Sequence, residues 1–251
     1  MKQIAIIATL CLLANAVAAK ETSVTIPLTT AHERVVVALW EGDIKVTSGA
    51  AGTVIIVSDC ELHESEAPEQ MEGFRSLRSS SVLPDIVPGD EVIAIRTYEG
   101  GPRCSVTLEV PERLDLHTRV NFSGSIDVDA RHGRLLAWSA NGDVSVANHS
   151  GSLSVTAMNG DATVSIGDEG IDADSAITAA NGTLTITVNP DSIPAMRAQA
   201  RWGEVQTNLD ATFEEVVQAG GTWFALEGGA AAPILTMRNL NRDIVIRSSS
   251  P

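Results

Sequence analysis

The chain has 251 residues, with 17 Lys and Arg against 32 Asp and Glu, and its formal net charge at pH 7 is -15. This charge excludes nucleic acids and anionic lipid surfaces as non-specific partners, because clusters of Lys and Arg hold such polyanions. A hydrophobic content of 44% is enough for a folded core and too high for a disordered chain.

The first 19 residues have the three parts of a secretory signal peptide. A short basic start, Met1-Lys2, precedes an apolar run from Ile4 to Leu13 and a group of small residues from Ala14 to Ala19. The run is too short to span a bilayer, and no later stretch is long and apolar enough to be a transmembrane segment. We therefore expect residues 1–19 to be removed on export and residues 20–251 to form a single β-repeat domain.

The mature chain opens with predicted strands and continues into a polar insertion. Residues 24–28 and 34–39 have the apolar, β-branched composition of strands. The insertion covers residues 60–104, and within it Met71, Phe74 and Leu77 keep a helical spacing that predicts one short helix. Two further predicted strands, 91–97 and 105–110, flank a Gly-Gly-Pro turn.

Two cysteines remain after the signal peptide, at the two ends of this insertion. An even count in an exported chain favours one disulfide between Cys60 and Cys104. Two separate buried thiols are the alternative.

A short phrase with one glycine recurs every nine residues in the middle of the chain. In each copy, apolar residues occupy the second and fourth positions after the glycine, and this period of two predicts a half-buried strand. Further copies occur upstream and downstream, and near the end Arg242 replaces the glycine before Asp243 to Ile246. The phrases begin at Gly42, Gly52, Gly124, Gly133, Gly142, Gly151, Gly160, Gly182 and, more weakly, Gly203.

Two all-β architectures can carry a strand every nine residues. An antiparallel β-sandwich would turn back at the Asn-Gly pairs, which are good hairpin dipeptides. A β-solenoid would place each glycine at a corner, with two strands in each coil. Asn-Gly-Asp recurs at 141–143 and 159–161, one two-strand coil apart, and a constant repeat keeps stacked coils in register. This favours the β-solenoid over the sandwich.

The ordered series of phrases resembles the family of bacterial putative-adhesin domains, whose function is otherwise unknown. Val106 to Glu112 lead into the series and Asp243 to Ile246 close it, so the resemblance covers most of residues 34–248. It implies a repetitive β fold in an envelope or secreted protein, with an adhesin role by analogy. That family defines no catalytic residues, so the resemblance assigns none here.

Patterns that would indicate an enzyme or a cofactor protein are missing from the sequence. It has no Gly-x-Ser-x-Gly elbow, phosphate loop, Cys-x-x-Cys pair or zinc-protease motif, so we expect no catalytic, cofactor or metal residues. Asp127 and Asp129 are predicted to point outward from a strand without the cleft that glycoside hydrolysis needs. Repetitive calcium sites are not expected, because each unit has a single glycine.

Two polar groups in the repeat region have ordinary explanations. The acidic stretch with Asp168, Glu169, Asp172 and Asp174 is typical of a solvated loop. His132 and His149 lie nearly one coil apart, and we expect them as exposed corner residues without a joint role.

The tryptophans are the remaining candidates for a binding surface. Alternation points Trp138 to solvent, and Trp202 precedes a corner glycine. We therefore expect an exported, non-catalytic, adhesin-like or scaffold protein of a bacterial envelope, in the periplasm or at the cell surface. Its partner would be an envelope protein or glycan and not nucleic acid. The alternatives are a polysaccharide-acting β-helix enzyme and a periplasmic sensor or accessory subunit, and the sequence leaves the oligomeric state open.

Overall fold

Two β-sheets pack face to face around one hydrophobic core. The structure is a computed structural model that describes residues 22–60, 83–218, 221–227 and 232–249. Residues 1–19, the predicted signal peptide, lie outside these ranges, and so do Met71, Phe74 and Leu77 of the predicted helix. Apart from the sheets, the described residues form one short 3₁₀ turn, Pro190–Ser192.

The two sheets are here called sheet A and sheet B, and their strands are given in spatial order. Sheet A contains β1 (Thr22–Pro27), β4 (Thr53–Cys60), β7 (Cys104–Val110), β3 (Ile44–Ser48), β9 (Ile126–Arg131), β11 (Val144–His149), β13 (Ala162–Ile166), β15 (Leu184–Val188), β21 (Ile244–Ser248) and β17 (Val205–Thr207). Sheet B contains β18 (Glu214–Gln218), β19 (Gly221–Leu226), β16 (Ala195–Ala200), β20 (Ile234–Asn239), β14 (Ser175–Ala179), β12 (Leu153–Ala157), β10 (Leu135–Ser139), β8 (Asp115–Ser123), β2 (Arg34–Glu41), β6 (Val92–Arg96) and β5 (Asp85–Pro88).

The chain winds as a β-solenoid, because each coil gives one strand to each sheet and adjacent coils pair in parallel. Leu135 of β10 pairs with Leu153 of β12, and Val144 of β11 pairs with Ala162 of β13, in both cases 18 positions later. The predicted solenoid is therefore confirmed. The antiparallel pairing of the alternative sandwich occurs only towards the ends of the described sheets, as in β1–β4–β7, β5–β6 and β16–β19–β18.

The core is built from the apolar positions of the repeated phrase. Val144 and Val146 of β11 are buried, and Ala162 and Val164 stack beside them on β13. Full burial of one such valine or leucine side chain contributes ~1.5–3 kcal/mol. Because each residue has a similar neighbour in the next coil, the apolar ladders keep every strand in one register.

Most of the repeated glycines, such as Gly142, lie at the corner where a strand of sheet B continues into sheet A, whereas Gly133 and Gly151 lie at the opposite corner. A Cβ on Gly142 would lie 2.2 Å from the carbonyl oxygen of Gly124 in the preceding coil, and the φ of Gly142 is 151°. A side chain at this corner would therefore collide with the backbone below it. The close approach of successive coils explains why the glycine recurs.

The other two residues of the Asn-Gly-Asp corner link neighbouring coils by hydrogen bonds. Asn159 Nδ2 donates to Asn141 Oδ1 at 2.8 Å, and Asn241 Nδ2 donates to Asn181 Oδ1 at 2.6 Å. The carboxylate of Asp143 accepts from the backbone N–H of Asp161 at 2.8 Å. The motif is therefore structural, and it persists beside Arg242 although that corner has no glycine.

The spatial order of the coils differs from their order in the chain. The last coil, β20–β21, lies between β14–β15 and β16–β17. At the other end, β2–β3 lies between β6–β7 and β8–β9. The first strand, β1, is at a sheet edge, whereas the last strand, β21, is covered by β17 and does not cap the stack.

The disulfide joins two antiparallel neighbours in sheet A. Cys60 ends β4, Cys104 begins β7, and the two residues are paired across the ladder with both side chains fully buried. The C-terminal part of the insertion between them belongs to the solenoid, since its strands β5 and β6 lie in sheet B. The strands β6 and β7 that flank the Gly-Gly-Pro turn therefore belong to different sheets.

Candidate functional site

All four tryptophans of the chain are associated with sheet B. Trp40 lies in β2, Trp138 in β10 and Trp223 in β19, and Trp202 follows β16. The residues directly before Trp40 and Trp138 in their strands are buried. Because successive side chains of a strand point to opposite faces, the two indoles point to the outer face of the sheet.

Trp138 belongs to a row of outward side chains that crosses the coils. On one side it pairs with Arg119 of β8, whose guanidinium lies 4.4 Å from the centre of the indole ring. On the other side the row continues through Thr156 and Thr178 to Arg238. The indole therefore has a cation on one flank and small hydroxyl side chains on the other.

A second arginine and tryptophan pair closes the far end of this row. Arg238 lies 4.9 Å from the ring centre of Trp223, which the β18–β19 hairpin carries. A hollow of about 560 Å³ beside this pair is also lined by Arg197 and Glu214. We call the outer surface from Arg119 and Trp138 to Arg238 and Trp223 the tryptophan groove.

Small side chains form the floor of the tryptophan groove. A hollow of about 380 Å³ lies over Ser154, Ala176, Thr178 and Thr236, and it reaches Arg238. Adjacent strands of a sheet are ~4.8 Å apart, so the three strand steps from Trp138 to Arg238 span ~14 Å. The groove is therefore long enough for an extended chain that crosses several coils.

The arginines of the groove are not neutralised by the acidic residues of the protein. Within the described ranges, no carboxylate lies within 4 Å of the Arg119 or Arg238 guanidinium, whereas Arg103 on another part of the surface contacts both Glu41 and Asp43. Arg119 Nε donates instead to Asn121 Oδ1 at 2.5 Å. A chain with a net charge of -15 thus keeps unpaired cations on this face.

The other aromatic side chains of sheet B lie outside the row of the tryptophan groove, although Trp202 also has an arginine over its ring, with the Arg201 guanidinium 5.7 Å from the ring centre. Trp40 stacks on Phe122 with ring centres 5.9 Å apart and planes 3° apart, and Phe122 remains 51% exposed. Trp202 is 74% exposed and occupies the corner position that asparagine fills in other coils, since its N–H donates to the carbonyl of Leu240.

The two predicted binding residues do not form one site. Trp202 follows the strand β16, which is four strand steps from the β10 strand of Trp138, or ~19 Å. The structure instead brings Trp138 together with Arg119 and places Trp223 with Arg238 along the same row. Sequence reasoning missed Arg119, Trp223 and Arg238. The strand β19, which carries Trp223, lacks the glycine phrase, and the register between β10 and β20 depends on the strand order.

The predicted outward carboxylates lie on the opposite side of the solenoid. Asp127 and Asp129 are exposed on the outer face of sheet A, away from the tryptophan groove. Asp129 accepts a hydrogen bond from Asn148 Nδ2 at 3.2 Å.

The histidines at the other corner differ from each other in burial. His132 is partly exposed between Glu112 and Glu169, with N to O distances of 3.5 and 3.2 Å. His149 is fully buried, so the expectation that both are exposed was wrong. The cause is local, because Asn148 has a φ of 53° and the register of β11 shifts there, which turns the next side chain inward.

Burial also changes the protonation of this corner. It lowers the pKa of His149 to about 4, and the neighbouring charge of Arg131 acts in the same direction. The guanidinium of Arg131 is also buried, and burial lowers its pKa to about 10.

The acidic stretch divides among separate partners. Asp168 accepts from Asn189 Nδ2 at 3.0 Å, Glu169 contacts His132, and Asp174 accepts from the backbone N–H of Ile234 at 2.9 Å. Within the described part of the chain, no three His, Cys, Asp or Glu side chains are placed to hold a metal ion. The described residues also contain no helix that could cross a membrane.

One family model matches most of the chain. The model of the family described as Toastrack DUF4097 matches residues 7–237. No curated protein matches the chain. A solved structure described as a putative cell adhesion protein from Clostridium sporogenes ATCC 15579 is 12% identical, with 92% of this chain and 100% of that chain covered and a TM-score of 0.48. For a putative adhesin from Bacteroides fragilis NCTC 9343 the identity is 10%, the coverage 91% and 97%, and the TM-score 0.30.

Proposed function

Since the chain belongs to the Toastrack DUF4097 family, we propose that it is an exported, non-catalytic, adhesin-like binding protein that holds a bacterial envelope glycan in the tryptophan groove. The observation that carries this proposal is the row from Arg119 and Trp138 to Arg238, closed by Trp223. The signal peptide pattern of residues 1–19 supports export.

The chemistry of the groove suits a sugar chain. An indole presents an apolar face on which a pyranose ring can stack, and Trp138 and Trp223 provide one such ring at each end of the groove. Between them, the hydroxyl groups of Thr156 and Thr178 can exchange hydrogen bonds with sugar hydroxyls. A glycan that crosses the coils would meet both features at once.

A binding role is better supported than catalysis. The groove is an open surface, and the carboxylates Asp127 and Asp129 lie on the opposite face of the solenoid. A glycosidase needs two carboxyl groups that flank the scissile bond; the paired row contains none, and the carboxylates that line the hollows beside it, Asp174, Glu214 and Glu227, lie on separate segments of the chain. We therefore assign Trp138, Trp223, Arg119 and Arg238 to binding.

Glycan binding is tested with the secreted protein and bacterial envelope polysaccharides. Retention on immobilised polysaccharide is measured for the wild type, Trp138→Ala, Trp223→Ala and, as a matched control outside the groove, Trp202→Ala. We expect at least tenfold weaker binding for the two groove variants and less than twofold change for Trp202→Ala. Failure of the wild type to bind any envelope glycan, or equal losses in all three variants, would overturn the proposal.

The same incubations separate binding from catalysis, and fractionation tests export. A binding protein leaves the length of each polysaccharide unchanged, whereas release of reducing ends would show an enzyme. Export requires that mass spectrometry of the extracytoplasmic protein shows a chain without residues 1–19. Protease treatment of intact cells then distinguishes the cell surface, where the protein is cut, from the periplasm, where it is protected.

A further inference from the structure

We infer that the ligand of the tryptophan groove is an acidic glycan, a sugar polymer with carboxylate groups that Arg119 and Arg238 hold at the two ends of the groove. This inference rests on the proposed glycan-binding function and specifies the ligand class. The observation behind it is the presence of two guanidinium groups that the protein itself leaves without a carboxylate partner within the described ranges.

The indole contacts set these two arginines apart, because among the described Lys and Arg side chains only Arg103 lies within 4 Å of a carboxylate. Acidic residues outnumber Lys and Arg by 32 to 17, so a surface arginine has many carboxylates available as partners. Arg103 contacts two of them, Glu41 and Asp43, at 3.9 and 3.4 Å. Arg119 and Arg238 instead lie over indole rings, which keep the cations in place without neutralising them.

The guanidinium group is suited to a carboxylated ligand. Its planar fork can donate two parallel hydrogen bonds to one carboxylate, and on Arg119, whose Nε is bound to Asn121, the Nη1 and Nη2 edge is the one that can do so. Each end of the groove therefore combines an apolar ring with a carboxylate-binding group. One uronic acid residue presents both matching features, a pyranose ring and a carboxylate.

The spacing of the two pairs favours a polymer over a single sugar. Arg119 and Trp138 are on adjacent strands, Arg238 lies three strand steps beyond Trp138, and the span is ~14 Å. The strand residues of the floor between them, Thr156 and Thr178, are small, and Asp174 lines the hollow over this floor, so a chain can lie across it with its charged groups towards the arginines. Two contacts on one chain raise the overall affinity, because the second contact forms within the same complex.

The rest of the surface selects against denser polyanions. Nucleic acids carry a charge on every nucleotide and need many cationic contacts, while the net charge of -15 repels them. Glu214 and Glu227 line the hollow beside Arg238 and Trp223, and Asp174 lines the hollow over the floor, so these surfaces favour a ligand whose negative charges are widely spaced. A polyuronate, with one charge per sugar ring and an apolar ring face, fits this balance better.

The experiment compares acidic polymers with neutral polymers of the same backbone. Binding of the secreted full chain is measured in 0.05 and 0.5 M NaCl to polygalacturonate, alginate and hyaluronate and to the carboxyl-reduced form of each. We expect at least one of the acidic polymers to bind tenfold or more tighter than its reduced form at low salt. High salt should remove most of this difference, because it screens the charges.

Substitutions then locate the charge recognition. Arg119→Gln and Arg238→Gln should each reduce the preference for the acidic form at least threefold, and together they should abolish it. Arg247→Gln is the matched control, since it removes one positive charge from the exposed outer face of sheet A. Trp138→Ala should weaken acidic and reduced forms alike.

Each other result contradicts a defined part of the inference. Equal binding of acidic and reduced polymers would overturn the acidic ligand and leave the glycan-binding function intact. Binding of single-stranded DNA as tightly as the polyuronates would show that the class of polymer is wrong. The protein could retain other envelope polysaccharides but none of these polymers, acidic or reduced, and this result would overturn only the ligand class. Failure to bind every glycan would overturn the glycan-binding function too. Equal effects of Arg119→Gln and Arg247→Gln would exclude the groove arginines.

Discussion

Arg131 and His149 are paired residues on the neighbouring strands β9 and β11, and both side chains lie in the protein interior, 1% and 0% exposed. Arg131 donates from Nη1 to the carbonyl oxygens of Val110 and Pro111 at 2.9 and 2.8 Å, and from Nη2 to the carbonyl of Leu114. His149 Nε2 lies 3.2 Å from the carbonyl oxygen of Ser152. The two basic side chains thus stabilise the corner through hydrogen bonds with backbone carbonyls.

Replacement of Arg131 should destabilise the fold. Arg131→Met removes the donors for three carbonyl groups, and buried carbonyls without partners are costly. We expect a loss of about 3 kcal/mol in the free energy of unfolding, measured by urea denaturation. Arg134→Met, an exposed neighbour, is the control and should change stability by less than about 0.5 kcal/mol. Equal stability of the two variants would contradict the stabilising role of the Arg131 side chain.

Stability should fall between pH 6.5 and pH 4 because of His149. The unfolded chain protonates this imidazole near its ordinary pKa of 6.5, whereas the folded protein does so only near 4. Between these values the unfolded state binds more protons, so each step to lower pH favours unfolding, by about 3 kcal/mol in total. Above pH 6.5 this contribution to stability is fully present.

The measurement is a series of urea titrations of the wild type and His149→Leu across this pH range. The variant should lose most of the pH dependence. A smaller slope of the same sign should remain, because burial and the charges of Arg34 and Arg134 lower the pKa of His117. An unchanged slope in His149→Leu would show that other groups cause the effect.

The glycine corner should not tolerate a methyl group. A Cβ on Gly160 would lie 2.3 Å from the carbonyl oxygen of Gly142, and neither backbone can move without separating the coils. We expect Gly160→Ala to lower the free energy of unfolding by about 3 kcal/mol or to give insoluble protein. Gly52→Ala is the control, since its φ is 94° but no atom lies within 4 Å of the new Cβ. It should lower stability by only about 1 kcal/mol, and a larger effect than that of Gly160→Ala would refute the close-approach explanation.

Loss of the disulfide should lower the melting temperature without changing the fold. Cys60 and Cys104 are 44 residues apart, and closing a loop of this length contributes about 3 to 4 kcal/mol. The double variant Cys60→Ser, Cys104→Ser should therefore melt about 10 °C lower than the oxidised wild type, with the same circular dichroism spectrum. Reductant should lower the wild-type melting temperature and leave the variant unaffected. A wild type insensitive to reductant would argue against this stabilisation.

The local features of the fold could be predicted from the sequence, because the close contact between coils requires a glycine at regular intervals. The spacing from Gly142 to Gly160 predicts the coil length that the pairing of Val144 with Ala162 shows. Alternation also predicts the outward direction of Trp138. These features depend on residues near one another in the chain, or one coil apart.

The features that sequence reasoning missed depend on long-range order. The phrase at Asp243 to Ile246 resembles the others, so nothing in it indicates that β21 lies between β15 and β17. The groove could not be recognised for the same reason, since Arg238 meets Trp223 only through this order. The burial of His149 follows from the left-handed backbone conformation of Asn148, which no pattern in the repeated phrase predicts.

The position of β20–β21 makes completion of this part of the stack depend on a segment that is synthesised after both of its neighbours. A polypeptide emerges from the ribosome in chain order, so β14–β15 and β16–β17 exist before the coil that lies between them. A product truncated before residue 234 therefore has an unfilled layer in its interior, where the buried Leu235, Met237, Ile244 and Ile246 belong. The two neighbouring coils are therefore joined into one continuous stack only after β20 and β21 take their place between them.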